Sequence, residues 1–274
     1  MHDVNVVIVN YQAKDQVDTC LSSLFFDIKN CPLNIHITVV DNGSDDQIEQ
    51  VLKDKYVNIK FIRHKENMGF AKAQNSGLAE TQAKYHLVLN PDTVFSPNHN
   101  TIQKLYDFME ANPKAGIAGP KIVYPDGTLQ NSCYRFPKFL QPLYSRTVLG
   151  KISSGKKTAD HYFMRDFEHD ETIPVDWIMG AAMFVRQKAI DGIGRFDERF
   201  WMYAEDSDWC RRMWEKKWLV YYVHDIIIKH EHGRGSAKVP GIAKSLLKNK
   251  LARAHLKSWL QYMWKWRKTH RCYS

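Results

Sequence analysis

Three groups of residues in this sequence have types and spacings that could support chemistry, and the first is a carboxylate that follows an apolar strand. Asp92 comes after the apolar run 85–89 and directly after Pro91, which stiffens the turn that presents its carboxylate. A carboxylate at the end of a strand can hold a divalent cation, and that cation can hold a diphosphate. The alternative is a turn residue whose carboxylate caps backbone N–H groups. Considered without the rest of the sequence, Asp92 fits the role of a turn residue better than that of a cation ligand.

The second group consists of three acids, Glu205, Asp206 and Asp208, in the first turn of a helix predicted over 204–216. Acids in a first turn are favoured by the helix dipole, and that explanation covers most such clusters. Here, however, an apolar and aromatic stretch over 196–203 precedes them, and burial against it would raise a carboxyl pKa towards that of a useful general base. Asp206 and Asp208 point to different faces of the helix. One of them could therefore face a site while the other pairs with a nearby arginine.

The third group contains His230 and His232, which follow the last short apolar run of the chain. Histidines two positions apart on an extended segment face the same side, and histidine is a common metal ligand. Gly233 and Gly235 would allow the backbone to approach a ligand closely. A structural histidine is the alternative, and it is favoured when these residues are considered alone.

The elements that must position these groups alternate regularly over the first 95 residues. We predict strands over 4–9, 36–40, 59–63 and 85–89, and helices over 16–26, 48–52 and 71–81. This alternation predicts an α/β fold with a Rossmann-like, mostly parallel sheet that carries helices on both faces. Ligands of such sheets bind at the carboxyl ends of the strands. The polar residues at those predicted ends are Asn10-Tyr11, Asp41-Asn42, Asn67-Met68-Gly69 and Asn90-Pro91-Asp92.

The second half of the chain is less regular. Helices are predicted over 98–112, near 188–193 and over 204–216, and strands over 116–124, 127–133 and 219–224. The segment 137–172 is polar, and we expect a long loop with one helix, as in the lids of enzymes. A further apolar run over 226–229 precedes His230, and a long helix is expected from residue 241 onward.

Charge is distributed unevenly along the chain. The formal net charge is +9, yet residues 232–274 hold eleven basic residues and no acidic one, whereas residues 1–231 hold 28 basic and 30 acidic residues. A nucleic-acid-binding domain would normally carry its cationic face on the folded body, so this distribution argues against nucleic acid as a partner. Within the tail, residues 242–271 interleave tryptophan and leucine with the basic residues. That pattern is typical of a helix at an anionic membrane surface. The alternative is a helix packed on the body with a solvated cationic face.

Other classes of protein are excluded by composition. The apolar fraction of 44% is sufficient for a packed core, and no run approaches the 18 apolar residues of a membrane span. Residues 1–4 lead directly into a predicted strand without a signal-peptide pattern. The five cysteines are scattered and contain no Cys-x-x-Cys pair, which favours reduced cytosolic thiols over a disulfide framework or a zinc site.

Taken together and in order, the motifs resemble glycosyltransferase family 2, particularly its rhamnosyltransferase-like branch. They are Asn10-Tyr11, Asp41-Asn42-Gly43-Ser44, Asn67-Met68-Gly69-Phe70-Ala71 with Asn75 and Gly77, Asn90-Pro91-Asp92, Asp176-Trp177-Ile178-Met179-Gly180-Ala181-Ala182, Phe196-Asp197-Glu198-Arg199-Phe200, Glu205-Asp206 with Asp208, and His230 with Gly233. Each motif is weak, but the ordered set is specific. It extends over residues 4–236 and leaves the basic tail uncovered.

The resemblance implies an A-type glycosyltransferase fold. The catalytic domain would occupy residues 1–236, with a nucleotide-sugar-binding half over about 1–95 and an acceptor-binding and catalytic half over 96–236. Residues 237–274 would form a basic, tryptophan-rich helical tail. Enzymes of this kind transfer a sugar from a nucleoside diphosphate donor to an acceptor hydroxyl with inversion at the anomeric carbon.

The resemblance also implies a role for each site residue. Asp206 matches the general base, and Asp208 would form a structural pair with Arg211 or Arg212. Asp92 and His230 match the ligands of a divalent metal, Mg²⁺ or Mn²⁺, with His232 as the substitute for His230. The first aspartate of the family's Asp-x-Asp motif is replaced by Asn90. The donor-binding set comprises Asn10, Tyr11, Asp41, Asn42, Asn67, Gly69, Asn75 and Asn90. The residues on the acceptor side are Trp177, Gly180, Ala181 and Glu205.

The donor implied by this branch is dTDP-rhamnose, with another dTDP- or UDP-sugar as the alternative. The acceptor would be a glycan or a lipid-linked glycan of bacterial surface polysaccharide synthesis, and the location cytoplasmic, peripheral on the inner face of the cytoplasmic membrane. One rival is a non-catalytic nucleotide-sugar- or carbohydrate-binding protein of the same fold, which the intact Asp92, Asp206 and His230 disfavour. The other is a nucleotidyltransferase. The segment 10–13 lacks the glycine-rich basic loop that such an enzyme usually has.

Overall fold

The computed structural model describes residues 1–97, 99–137, 153–231 and 249–269, with the side chains of 153–155 excepted. The helices are α1 (Lys14–Asp27), α2 (Ile48–Lys55), α3 (Phe70–Ala79), α4 (Thr101–Ala111), α5 (Ser153–Tyr162), α6 (Gln187–Ile193), α7 (Glu205–Glu215) and α8 (Lys250–Lys265). The strands are β1 (His2–Asn10), β2 (Ile35–Asp41), β3 (Ile59–Arg63), β4 (Ala83–Leu89), β5 (Thr93–Phe95), β6 (Ala115–Val123), β7 (Leu129–Gln130), β8 (Cys133–Tyr134), β9 (Ile173–Pro174), β10 (Trp177–Ile178), β11 (Ala182–Arg186) and β12 (Leu219–His230).

A central sheet has the strand order β3-β2-β1-β4-β11-β6-β12-β5. The first four of these strands are parallel to one another, and Asn10 at the end of β1 lies beside Asp41 at the end of β2. β1 is buried from Val4 to Asn10 because helices cover both faces of the sheet. The α/β architecture with a mostly parallel sheet and helices on both faces is confirmed.

β11 lies in the interior of the sheet and joins its two halves. It runs antiparallel to β4, where Ala182 pairs with Leu89 and Arg186 with Tyr85, and antiparallel to β6 on its other side. β6 and β12 are parallel. The strands of the region predicted to bind the donor and those of the region predicted to bind the acceptor therefore belong to a single sheet.

Two hydrophobic clusters fill the space on either side of the sheet. One contains Leu21 and Leu24 of α1 and Ile102 of α4, all fully buried. The other contains Trp209 and Met213 of α7, which are also fully buried. Helix α7, which carries the acids of the second group, is thus anchored by its apolar face in the core.

Two predicted elements differ from the structure. The runs 219–224 and 226–229 form one strand, β12, with an irregularity between Val223 and Ile227 rather than a break. The strand predicted over 127–133 is divided into β7, which pairs with β6, and β8, which pairs with β10. In both cases the extent of the strand depends on the neighbouring strand with which it pairs. The local sequence pattern does not reveal that neighbour.

The tail contains a helix, but its described part begins later than predicted. The side chain of Asn249 caps α8 by accepting hydrogen bonds from the backbone N–H groups of Leu251 (2.9 Å) and Ala252 (3.3 Å). Residues 241–248 of the predicted helix lie outside the described residues, as do His232, Gly233 and Gly235 of the third group. Across the described ranges, no helix is long and apolar enough to span a bilayer.

Candidate active site

The first part of the site lies at the adjacent carboxyl ends of β1 and β2. The side-chain nitrogen of Asn10 donates to Asp41 Oδ1 (3.1 Å) and to Ser44 Oγ (3.1 Å). The backbone N–H of Ser44 also donates to Asp41 Oδ1 (3.2 Å), and Arg63 Nε lies 3.6 Å from Asp41 Oδ2. Asn10 and Asp41 are buried, whereas Tyr11 is 49% exposed. The carboxylate of Asp41 is therefore held in one orientation at the edge of the sheet.

A second loop is held against this edge by Asn42. Its amide nitrogen donates to Asn67 Oδ1 (3.2 Å) and to the Gly69 carbonyl (3.3 Å). Gly69 has φ +90°, and a Cβ at this position would lie 2.4 Å from the carbonyl oxygen of Trp201. A side chain is excluded here because the loop packs directly on the segment that leads to Asp206.

Asn75 on α3 contacts the same segment. Its side-chain amide donates to the carbonyl of Phe196 (2.9 Å) and accepts from the Phe196 N–H (3.0 Å), and it also donates to Glu198 Oε1 (3.0 Å). The structure thus gives Asn75 a role in fixing the turn around residue 196. A contact of Asn75 with the donor stays a prediction.

Asp92 and His230 lie together although they are far apart in the sequence. β5, which begins immediately after Asp92, pairs antiparallel with the end of β12, so that Thr93 lies opposite His230. His230 Nε2 is 3.1 Å from Asp92 Oδ1 and 3.5 Å from the side-chain nitrogen of Asn90. The other ring nitrogen, Nδ1, is 3.1 Å from Gln130 Oε1. Sequence reasoning did not identify Gln130, which lies in no motif and meets His230 only through tertiary structure.

The donor set of Asp92 and His230 fits a divalent cation. When Gln130 Oε1 accepts a hydrogen bond, the proton resides on Nδ1, and the lone pair of Nε2 then faces the Asp92 carboxylate. Asp92 Oδ1 and His230 Nε2 lie 3.1 Å apart, and a carboxylate oxygen and an imidazole nitrogen are both ligands of divalent cations. Within the described residues there is no group of three His, Cys, Asp or Glu side chains placed to hold a metal. The pair would therefore supply part of a coordination sphere, and a diphosphate is a suitable source of further oxygen ligands.

Asp206 opens helix α7 and is held by two backbone N–H groups. Gly180 N–H donates to Oδ2 (3.0 Å), and Ser207 N–H donates to Oδ1 (2.7 Å). Burial raises the pKa of Asp206, while the two backbone hydrogen bonds limit the rise because they stabilise the charged form. A half-buried carboxylate of fixed orientation and raised pKa is suited to accept a proton.

Gly180 and Ala181 connect the two ends of the site. The N–H of Asn90 donates to the carbonyl of Ala181 (2.9 Å), and the N–H of Gly180 donates to Asp206. The turn that presents Asp92 and the helix turn that presents Asp206 are therefore attached to consecutive residues. The segment Gly180–Ala181 therefore contacts both the Asp206 carboxylate and the turn that carries Asp92.

The other two acids of the second group differ from Asp206 in their surroundings. Asp208 is fully buried and accepts from Arg212 Nε (2.9 Å), which confirms the expected pair with an arginine one turn later. Lys265 Nζ (2.7 Å) and Trp266 Nε1 (2.9 Å) also donate to it, and sequence analysis did not foresee these contacts. Glu205 is buried, and its Oε2 has no hydrogen-bond partner among the described residues. Burial and the neighbouring Asp206 carboxylate raise the pKa of Glu205 well above its ordinary value.

An aromatic surface lies beside the base. Trp177 stacks on Tyr134 with ring centroids 4.3 Å apart, and Trp177 Nε1 donates to the carbonyl of Arg135 (3.0 Å). Burial raises the pKa of Tyr134, and the charge of Asp206 contributes to the rise. Stacked aromatic rings next to a carboxylate are a suitable surface for a polar molecule with apolar faces.

Comparisons with known proteins identify sequences and structures to which this chain is similar. The sequence model of the family described as "Glycosyl transferase family 2" matches residues 5–185. The chain is 28% identical over 246 residues to the N-acetylglucosaminyl-diphospho-decaprenol L-rhamnosyltransferase of Mycobacterium tuberculosis, with 86% of this chain and 78% of that protein covered. It is 26% identical to the dTDP-rhamnosyl transferase RfbF of Shigella flexneri, with 88% of this chain and 73% of that protein covered.

Among solved structures, the chain is similar to that of GalNAc-T7 with UDP, GalNAc and Mn²⁺. The TM-score is 0.64 at 13% sequence identity, and the match covers 98% of this chain and 49% of the other. At this identity the similarity concerns the fold.

Proposed function

Because the chain belongs to glycosyl transferase family 2, we propose that it is a metal-dependent, inverting glycosyltransferase that moves a sugar from a nucleoside diphosphate to an acceptor hydroxyl. The observation that carries the proposal is the joint attachment of Asp206 and of the Asp92 turn to Gly180 and Ala181. It would hold the proposed base and the proposed cation ligand Asp92 at a fixed separation. A single displacement with inversion needs one base and stabilisation of one leaving group.

In this mechanism Asp206 accepts the proton of the acceptor hydroxyl as that hydroxyl attacks the anomeric carbon. Its hydrogen bonds to Gly180 and Ser207 fix the direction of both carboxylate oxygens before the acceptor binds. Its raised pKa brings it closer to the pH at which a general base is effective. A Mg²⁺ or Mn²⁺ held by Asp92 and His230 would offset the negative charge of the leaving nucleoside diphosphate.

For the donor we propose dTDP-rhamnose. Support comes from the name of the Shigella flexneri relative, a dTDP-rhamnosyl transferase. At the edge of β1 and β2, Asn10 fixes the orientation of the Asp41 carboxylate, which would suit a contact with a nucleotide base. A carboxylate that accepts a hydrogen bond from a pyrimidine N–H would suit thymine and uracil equally. A UDP-sugar is therefore the alternative donor, and Asn42, Asn67 and Gly69 would close over either nucleotide.

A donor panel tests this proposal. Purified full-length protein is given dTDP-rhamnose and other dTDP-, UDP- and GDP-sugars, and the released nucleoside diphosphate is measured with and without EDTA. We expect turnover with dTDP-rhamnose, loss of turnover in EDTA, and recovery with added Mn²⁺ or Mg²⁺. Turnover with a UDP-sugar but not with dTDP-rhamnose would show that the donor is a UDP-sugar. Full activity in EDTA would show that the enzyme does not need a divalent metal.

We also propose that the acceptor is a lipid-linked glycan and that α8 contacts the membrane surface. The Mycobacterium tuberculosis relative is named for a diphospho-decaprenol acceptor. On α8 an apolar row spaced by four residues is exposed, with Leu256 at 42%, Leu260 at 50% and Trp264 at 63%. Lys257 and Arg253 lie beside this row, and basic residues near an anionic membrane surface each contribute about 1 kcal/mol. A row of this kind is typical of an interfacial helix.

Co-sedimentation with anionic liposomes tests the membrane contact. The double variant Leu260→Glu with Trp264→Glu should pellet much less than the wild type. The matched control is Phe26→Glu on α1, which replaces an apolar side chain of 52% exposure outside the tail and should pellet like the wild type. Equal pelleting of the double variant and the wild type would leave α8 as a helix that only packs on the body.

A further inference from the structure

The backbone that leads into the proposed base has an unusual conformation. Tyr203 (φ 71°) and Ala204 (φ 67°) are consecutive residues in the left-handed region, and they directly precede Glu205 and Asp206. Side chains with a Cβ atom disfavour this region, so such a conformation persists only where the surrounding structure holds it.

Helix α8 supplies contacts on the N-terminal side of the turn. Ser258 Oγ, buried at the interface, donates to the carbonyl of Met202 (2.8 Å). The ring of His255 packs against Tyr203 with centroids 4.7 Å apart, and Lys250 Nζ lies 5.0 Å from the ring centroid of Trp201. Three successive residues of the turn are thus contacted by side chains of one helix.

The end of α8 supplies contacts on the C-terminal side. Lys265 Nζ donates to Asp208 Oδ1 (2.7 Å) and to Asp197 Oδ2 (2.7 Å), and Trp266 Nε1 donates to Asp208 Oδ1 (2.9 Å). Arg211 of α7 donates to the hydroxyl of Tyr262 (3.3 Å). Asp206 therefore lies between two places at which α8 is attached, Met202 on one side and Asp208 on the other.

We propose that α8 is part of the catalytic apparatus and that Ser258, Lys265 and Trp266 are positioning residues for Asp206. The helix lies beyond residues 5–185, which the family model matches. The proposal rests on the base role of Asp206 given above. Because Ser258 and Lys265 contact Met202 and Asp208 on either side of Asp206, their removal should affect the proton-transfer step more than donor binding at Asn10 and Asp41.

The test compares Ser258→Ala, Lys265→Met and Lys265→Arg with two controls, Ser22→Ala on α1 and Lys188→Met on α6. Both controls change exposed side chains outside the site. Ser258→Ala and Lys265→Met should lower kcat by about tenfold or more, because small displacements of a catalytic group are costly. KM for the donor should stay within about twofold of the wild type, since the residues proposed to bind the donor are not substituted. Lys265→Arg should recover most of the loss, and the controls should match the wild type.

A second comparison separates positioning from general damage to the fold. Ser258→Ala is combined with Asp206→Asn. If Ser258 acts through Asp206, its removal should have little further effect on the variant that lacks the base, so the two losses should not multiply. Full multiplication, or wild-type kcat in both Ser258→Ala and Lys265→Met, would overturn the proposal. Unimpaired turnover of Asp206→Asn would overturn the base assignment itself. If Lys265→Met does not fold, the kcat of Ser258→Ala and its combination with Asp206→Asn decide the outcome.

Discussion

Replacement of Asp206 by asparagine gives the sharpest test of the proposed chemistry, because it removes the base with little change of shape. In the native protein both carboxylate oxygens accept a backbone N–H, from Gly180 (3.0 Å) and Ser207 (2.7 Å). An asparagine offers one oxygen and one NH₂ group, so one of the two backbone donors loses its partner. An unsatisfied buried donor costs about 1–3 kcal/mol of folding free energy.

The effect on turnover should be larger than the effect on folding. A positioned general base contributes about 10²–10⁴-fold, which corresponds to about 2.7–5.4 kcal/mol at 1.36 kcal/mol per tenfold. We therefore expect kcat of Asp206→Asn to fall by this factor at a temperature where the variant is folded. Binding of dTDP, measured by calorimetry, should be unchanged, because Asp41 is held by Asn10 and by the Ser44 N–H, which the substitution does not alter.

The assay measures released nucleoside diphosphate, and thermal unfolding of the same samples shows whether the variant is folded. Asp191→Asn is the matched control, since Asp191 is exposed on α6 and accepts a hydrogen bond from Gln187 one turn earlier. The wild-type pH profile should have an acid limb above pH 3.8, the ordinary pKa of aspartate, because burial raises the pKa of Asp206. A folded Asp206→Asn protein that loses much less than ~10²-fold in kcat would show that another group takes the proton.

Two further predictions concern stability. Glu205 has a raised pKa in the folded state, so the folded protein binds its proton more tightly than the unfolded chain, and stability falls as pH rises above the unfolded value of 4.5. Glu205→Gln should therefore unfold at higher urea concentration than the wild type at pH 7 but not at pH 4; a lower midpoint at pH 7 would contradict this. Asn75→Ala leaves the N–H and carbonyl of buried Phe196 without their partner and should cost about 1–3 kcal/mol in urea unfolding. An unchanged midpoint would show that these backbone groups find other partners.

The parts of the site that depend on neighbouring strand ends could be predicted from the sequence. Parallel strands end at the same edge, so the polar residues at the ends of β1 and β2 are expected to meet, and Asn10 does lie beside Asp41. A pair of Asp208 with Arg211 or Arg212 could be predicted as well, because residues three and four apart on a helix are neighbours, and the structure shows Arg212 as the partner.

Contacts between distant elements could not be predicted in this way. His230 reaches Asp92 because β5 pairs antiparallel with β12, and Gln130 orients it from a strand of two residues. Lys265 has the sequence context of a solvated cation in a basic tail, yet it lies between the carboxylates of Asp197 and Asp208. Which acid a lysine meets is decided by how α8 packs on α7, and no local pattern contains that information.

The antiparallel pairing of β11 with β4 has a consequence for how the molecule can move during turnover. Five residue pairs, from Ala182 with Leu89 to Arg186 with Tyr85, join the two regions predicted to bind donor and acceptor by backbone hydrogen bonds. A hinge between these regions would have to break that ladder in the interior of the sheet, where no water replaces the lost bonds. We therefore expect substrates to enter and products to leave by rearrangement of loops at the sheet edge, while the distance between the two binding regions stays constant through the cycle.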